Sequence, residues 1–118
     1  MAKSKDISKN KHKERAEVWI RKEVYGKAPE EHHFILANGE RLKDLKELNS
    51  ALEKMPDDLF KSHVNCIKND FSTWVKDIFK EDFLANELKK SSTRIEQQFM
   101  LQKHINSKME KIINKLAK

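Results

Sequence analysis

Cysteine is almost missing from this chain: Cys66 stands alone. No intrachain disulfide can form, so a secreted disulfide scaffold is excluded, and Cys66 is expected as a reduced thiol buried in the core of a cytoplasmic protein. The His63-x-x-Cys66 spacing would put both side chains on one helix face. Zinc needs two further ligands that no paired Cys or His motif supplies; His32 and His33 would serve only in an unusual fold, so no metal is expected. Glycine is as scarce, at Gly26 and Gly39, which leaves no glycine-rich phosphate loop. No apolar run approaches the roughly 20 residues that cross a bilayer, and no apolar stretch follows the basic start as an export signal would require. Arginine occurs only at positions 15, 21, 41 and 94, which argues against specific guanine readout. Ser91, Ser92 and Thr93 read as helix-start residues, with no strained nucleophile or oriented base beside them. No enzyme and no cofactor are expected.

What the chain has is charge. Charged and apolar residues each make up 37%, with only two prolines, the composition of one small helix-rich domain. The net charge of +6 is uneven. Residues 1–15 set Lys3, Lys5, Lys9, Lys11, Lys13 and Arg15 against Asp6 and Glu14, a net +4. Residues 100–118 set Lys103, Lys108, Lys111, Lys115 and Lys118 against Glu110, again +4, leaving −2 between them. Two basic ends on a near-neutral body favour a polyanion through counterion release.

The periodicities predict a mainly α fold: five or six helices with one short β-hairpin after the first. Residues 1–8 are expected as a flexible basic tail, and residues 9–118 as a single helical domain with a long basic C-terminal helix. The first helix spans about Lys9–Tyr25, with Ala16, Trp19, Ile20 and Val24 on one face and Gly26 as its left-handed cap. Strands at about His33–Ala37 and Glu40–Leu42 flank Asn38-Gly39, read as a type I′ turn. Asp44 and Glu47 make a capping-box-like start to a helix with the stripe Leu45, Leu48, Leu52 and Met55. Pro56 opens the next, which would bury Leu59, Phe60, Val64 and Ile67. Asn69 caps a further helix with the stripe Phe71, Trp74, Val75 and Ile78. A short helix near Glu81–Lys89 would bury Phe83, Leu84 and Leu88.

Thr93 and Glu96 form a capping box for the final helix. Its apolar positions Ile105, Met109, Ile112 and Leu116, continuing less regularly through Ile95 and Phe99, make a seam for another helix of this chain or of a second copy. At about 100° per residue, Lys108, Lys111, Lys115 and Lys118 share a roughly 80° arc with His104, beside that seam.

The central stretch carries an aromatic strand, Gly39, the Leu42-Leu45-Leu48 spacing, Phe60-x-x-His63-Val64, Asn69-Asp70-Phe71-x-x-Trp74, and Leu84-Ala85. Over about residues 32–90 this pattern resembles a small prokaryotic domain family, mainly archaeal, of unknown function. The resemblance implies a compact helical module with a short hairpin and no activity. The same block offers a candidate pocket of His63, Asn69, Asp70 and Trp74. Each also has a structural reading, as a backbone-bonded histidine, a helix cap, a dipole partner and a core ring, and that reading is the stronger. The leading functional expectation is a non-enzymatic protein that grips nucleic-acid phosphates through its basic ends with little sequence preference. The alternative is a protein adaptor or homodimer that uses the C-terminal seam. Attachment to an anionic membrane ranks last, because the one nearby aromatic, Phe99, lies far from the basic row.

Overall fold

In a computed structural model the described residues are 15–117. The expected tail, the helix start at Lys9, and Lys3, Lys5, Lys9, Lys11, Lys13 and Lys118 lie outside them. The described residues form α1 (residues 15–25), β1 (Phe34–Ile35), β2 (Arg41–Leu42), α2 (Leu45–Lys54), α3 (Asp57–His63), α4 (Asp70–Phe79), α5 (Asp82–Lys90) and α6 (Arg94–Ala117). The expected mainly helical fold is the observed one, with a two-stranded antiparallel hairpin after the first helix. None of the described helices is long and apolar enough to cross a membrane.

Local chemistry explains most boundaries. Gly26 takes φ +72° at the end of α1, where a Cβ would overlap the Phe79 ring, 2.7 Å from its Cε1. Only the last turns of α1 reach the core: Val24 is buried and Ile20 partly so, whereas Ala16 and Trp19 are exposed, against expectation.

The strands are shorter than expected, and the turn is not type I′. Gly39 alone has positive φ, at +90°. Its N–H donates to the Leu36 carbonyl at 2.8 Å, and the Leu36 N–H donates to the Glu40 carbonyl at 2.8 Å. This makes a three-residue loop with glycine at the left-handed position, a common hairpin solution. Asn38 keeps ordinary φ because its Oδ1 accepts the Glu40 N–H at 3.0 Å, an Asx turn that replaces the need for positive φ.

The caps of α2, α4 and α6 follow the sequence. Asp44 Oδ1 accepts the Glu47 N–H at 2.9 Å, and Glu47 Oε1 accepts the Lys43 N–H at 2.9 Å. Asn69 Oδ1 accepts from Ser72 N at 3.1 Å, and Thr93 Oγ1 from Glu96 N at 3.2 Å. The C-terminal carbonyls, which have no intrahelical donor, find partners on other helices. Arg94 donates to the Leu52 carbonyl of α2 at 2.7 Å. The Leu88 carbonyl of α5 receives Asn69 Nδ2 at 3.0 Å and Gln97 Nε2 at 3.3 Å. These bonds fix α4 and α6 against the end of α5 and hold together a core built on Leu48, Leu52, Phe71, Val75, Leu88 and Leu101.

Three expected core residues are outside it. Helix α3 stops at His63, and Asn65 then takes the chain into a tight loop. Ile67 therefore sits at a loop tip, 90% exposed, and Cys66 is exposed as well. The shared helix face of His63 and Cys66 does not exist. Phe83 is 75% exposed, because α5 turns Leu84, Ala85 and Leu88 inward instead.

Candidate nucleic-acid interface

The polar block around His63 has no open coordination. His63 Nε2 accepts the Ala37 N–H at 2.9 Å and so carries no hydrogen there. The ring proton sits on Nδ1 and is donated to Asp70 Oδ2 at 3.0 Å. Lys68 Nζ reaches the same oxygen at 2.9 Å. Burial alone would raise the Asp70 carboxyl, but the hydrogen bonds from Lys68 and His63 outweigh it and hold the group below its ordinary 3.8. Trp74 donates its indole N–H to the His32 carbonyl at 2.8 Å, and Phe34 packs against both His63 and Trp74 with centroids 5.1 and 5.5 Å away. His63 and Trp74 are each 7% exposed. His63 and Trp74 are thus closed off and, with Asp70, lock the hairpin to α4, whereas Asn69, the fourth member of the expected pocket, lines the groove described below.

The basic row of α6 is shorter than the helical wheel suggests. Lys108 is half-buried and pairs with Glu81 Oε1 at 3.0 Å. His104 is half-buried too, with Nε2 3.6 Å from Glu81 Oε2. Burial pushes its pKa below the ordinary 6.5; the Glu81 carboxylate opposes this and Lys108 and Lys111 reinforce it. Glu81, placed before α5, thus draws the inner edge of the row into the fold. Lys103, Lys111 and Lys115 remain exposed, and among the described residues none of them lies within ion-pair distance of a carboxylate. Arg15 is exposed at the start of α1. The apolar seam beside the row is divided: Ile105 and Ile112 are buried in the chain's own core, Met109 packs partly against it, and Leu116 is 69% exposed. Ile95 and Phe99 are exposed.

A second basic surface went unmarked by the sequence. The outer faces of α4 and α5, closed at one end by the loop after α3, bound a cavity of about 1050 Å³. Among the described residues, Lys61, Lys68, Lys76 and Lys89 line it with a single carboxylate, Asp77. Asn69, Thr73 and Asn86 supply amides and a hydroxyl. The signal that could have found it is the Asn69-Thr73-Lys76 stripe on α4 and the Asn86-Lys89 stripe on α5, each opposite a buried apolar face. Neither stripe says which helix lies beside it, so the convergence of lysines from three helices and the loop after α3 is a tertiary fact.

Comparison with known proteins adds no relative: no family model matches the chain, and no curated protein and no solved structure matches it.

Proposed function

We propose that this is a small, cytoplasmic, non-enzymatic nucleic-acid-associated protein that holds phosphate backbone through lysines with little sequence preference. The observation that carries this reading is the exposed set Lys103, Lys111 and Lys115 on α6, which among the described residues have no carboxylate within ion-pair distance, on a helix anchored along the adjoining side by buried Ile105 and Ile112. An anchored helix presents its ammonium groups at a fixed spacing, and flexible point charges suit phosphates better than base edges. The test is duplex and single-strand binding across a salt series. Binding is expected to weaken steeply with salt, and Lys111→Glu with Lys115→Glu should reduce the logarithmic slope on duplex DNA by about 2, roughly 0.9 per phosphate contact. Absence of binding at low salt defeats the reading.

A second reading, a homodimer or protein adaptor, is supported by exposed Ile113 and Leu116 at the far end of α6. With Ile105 and Ile112 already covered, little seam is left for a partner. Sedimentation as a monomer at high micromolar concentration, unchanged by Leu116→Asp, removes it.

A further inference from the structure

We propose that the groove between α4 and α5 is a binding site for a single nucleic-acid strand, distinct from the lysines of α6; this rests on the nucleic-acid reading above. Four lysines against one aspartate make its lining strongly cationic. Lys68 is occupied by Asp70 at 2.9 Å. Among the described residues, Lys61, Lys76 and Lys89 have no carboxylate within ion-pair distance and are exposed. Three uncompensated ammonium groups around one hollow repel one another, and an anion in the hollow relieves that repulsion.

The shape favours a strand over a duplex. A duplex displays its phosphates on the outside of a wide, stiff cylinder, which cannot settle into such a hollow. A concave trough of about 1050 Å³ instead admits a flexible backbone. Its end wall is stiff. Asn65 Oδ1 accepts from Ile67 N at 3.0 Å and Lys68 N at 3.3 Å, while Asn65 Nδ2 donates to the Lys61 carbonyl at 3.0 Å. The Asn65 N–H closes the loop on the Lys68 carbonyl at 2.9 Å. A wall already held in place loses little freedom when a ligand arrives. Ile67 projects at the rim and offers an apolar surface to a base. Among the described residues no aromatic ring lines the groove, so binding there is electrostatic and indifferent to sequence.

Cys66, the only cysteine, lines the same groove and is exposed, which makes the unaltered chain its own reporter. Alkylation by iodoacetamide, a neutral reagent insensitive to the phosphate charge, is timed with and without a saturating oligothymidylate of about 20 nucleotides. The strand is expected to slow alkylation at least about fivefold, and a duplex of equal length less than about twofold. Replacing Lys61, Lys76 and Lys89 together by Glu, with the thermal midpoint checked, is expected to lower the salt slope for the strand by about 2, roughly 0.7 per contact. If the strand binds while Cys66 reacts at its free rate, or the triple variant keeps the wild-type slope, the groove proposal fails and the α6 reading stands. If neither strand nor duplex binds at low salt, both fall. Inorganic polyphosphate that outcompetes the strand and protects Cys66 equally overturns nucleic acid as the occupant.

Discussion

The two faces of α4 both carry polar side chains, and the consequences are opposite. On the inner side Trp74 and Asp70 meet His63, His32 and Lys68, and His63 Nδ1, Lys68 Nζ and the Trp74 indole each have an acceptor within 3.0 Å. On the outer side Lys76, joined by Lys61 and Lys89 from the neighbouring helices, borders an open groove lined by one carboxylate, Asp77, and among the described residues none of the three has a carboxylate within ion-pair distance. Buried polar groups are tolerated when satisfied, and satisfied groups have nothing left to offer a ligand. What separates scaffold from site is unmet electrostatic demand. The aromatic and histidine-bearing face looks more like an active centre, yet it is the lysine face that carries ammonium groups without a carboxylate partner among the described residues.

The widest separation between the faces is expected in stability. His63→Ala removes a ring packed between Phe34 and Phe71 and leaves the Ala37 N–H without an acceptor. It should cost about 3 kcal/mol, the sum of a core cavity and an orphaned donor. Lys76→Ala, on the outer face, should stay within about 0.5 kcal/mol. Urea midpoints measure both, and equal losses would break the comparison. Asn69 stands on the border, capping α4 and donating to the Leu88 carbonyl. Asn69→Ala should fall between the two, at about 1–2 kcal/mol.

Acid sharpens the same contrast through two carboxylate-linked groups. His104 has a folded pKa below 6.5, so the unfolded chain binds more protons just under that value. Its share of stability is complete above pH 6.5 and is lost as pH falls toward the lowered folded pKa. Asp70 is held below 3.8, so its share is complete above that pH and is lost in more acid solution. Two separate windows of acid destabilisation are expected. In midpoints measured against pH, His104→Gln should remove the upper window and Asp70→Asn the lower. A single window unaffected by either substitution contradicts the assignment.

Helices and caps were legible because their causes are local. Asp44, Asn69 and Thr93 cap where the sequence places them, and the stripes of α2 and α4 are buried as their spacing requires, Ile78 only partly. Errors gather where local signals are overruled. Ile67 and Cys66 continue an apolar pattern past the end of α3, but Asn65 captures two backbone N–H groups of the next residues and turns the chain outward. Asn38-Gly39 reads as a two-residue turn until Asn38 bonds the Glu40 N–H and lets Gly39 alone take positive φ. Lys108 appears free on a helical wheel because the wheel omits Glu81, which precedes another helix. The groove was hidden for the same reason: adjacency of α4 and α5 decides which lysines meet.

The smallest expected effect asks whether the outer face binds as a groove or as diffuse charge. Lys80 ends α4 in the left-handed region at φ +58°, the described non-glycine residue with positive φ, and its cap passes the Glu81 N–H to the Val75 carbonyl. A Cβ in that conformation is unfavourable, and glycine is the usual occupant of this cap. Lys80→Gly should therefore stabilise the fold by about 0.5–1 kcal/mol, read from the urea midpoint. It also removes one positive charge close in sequence to Lys76 but outside the groove lining. If a shaped trough holds the strand, Lys80→Gly leaves strand affinity nearly unchanged at moderate salt, whereas neutralising Lys76 lowers it. Equal losses from the two substitutions would mean that net surface charge sets the affinity and that the outer face of α4 has no more shape to offer than any other basic surface.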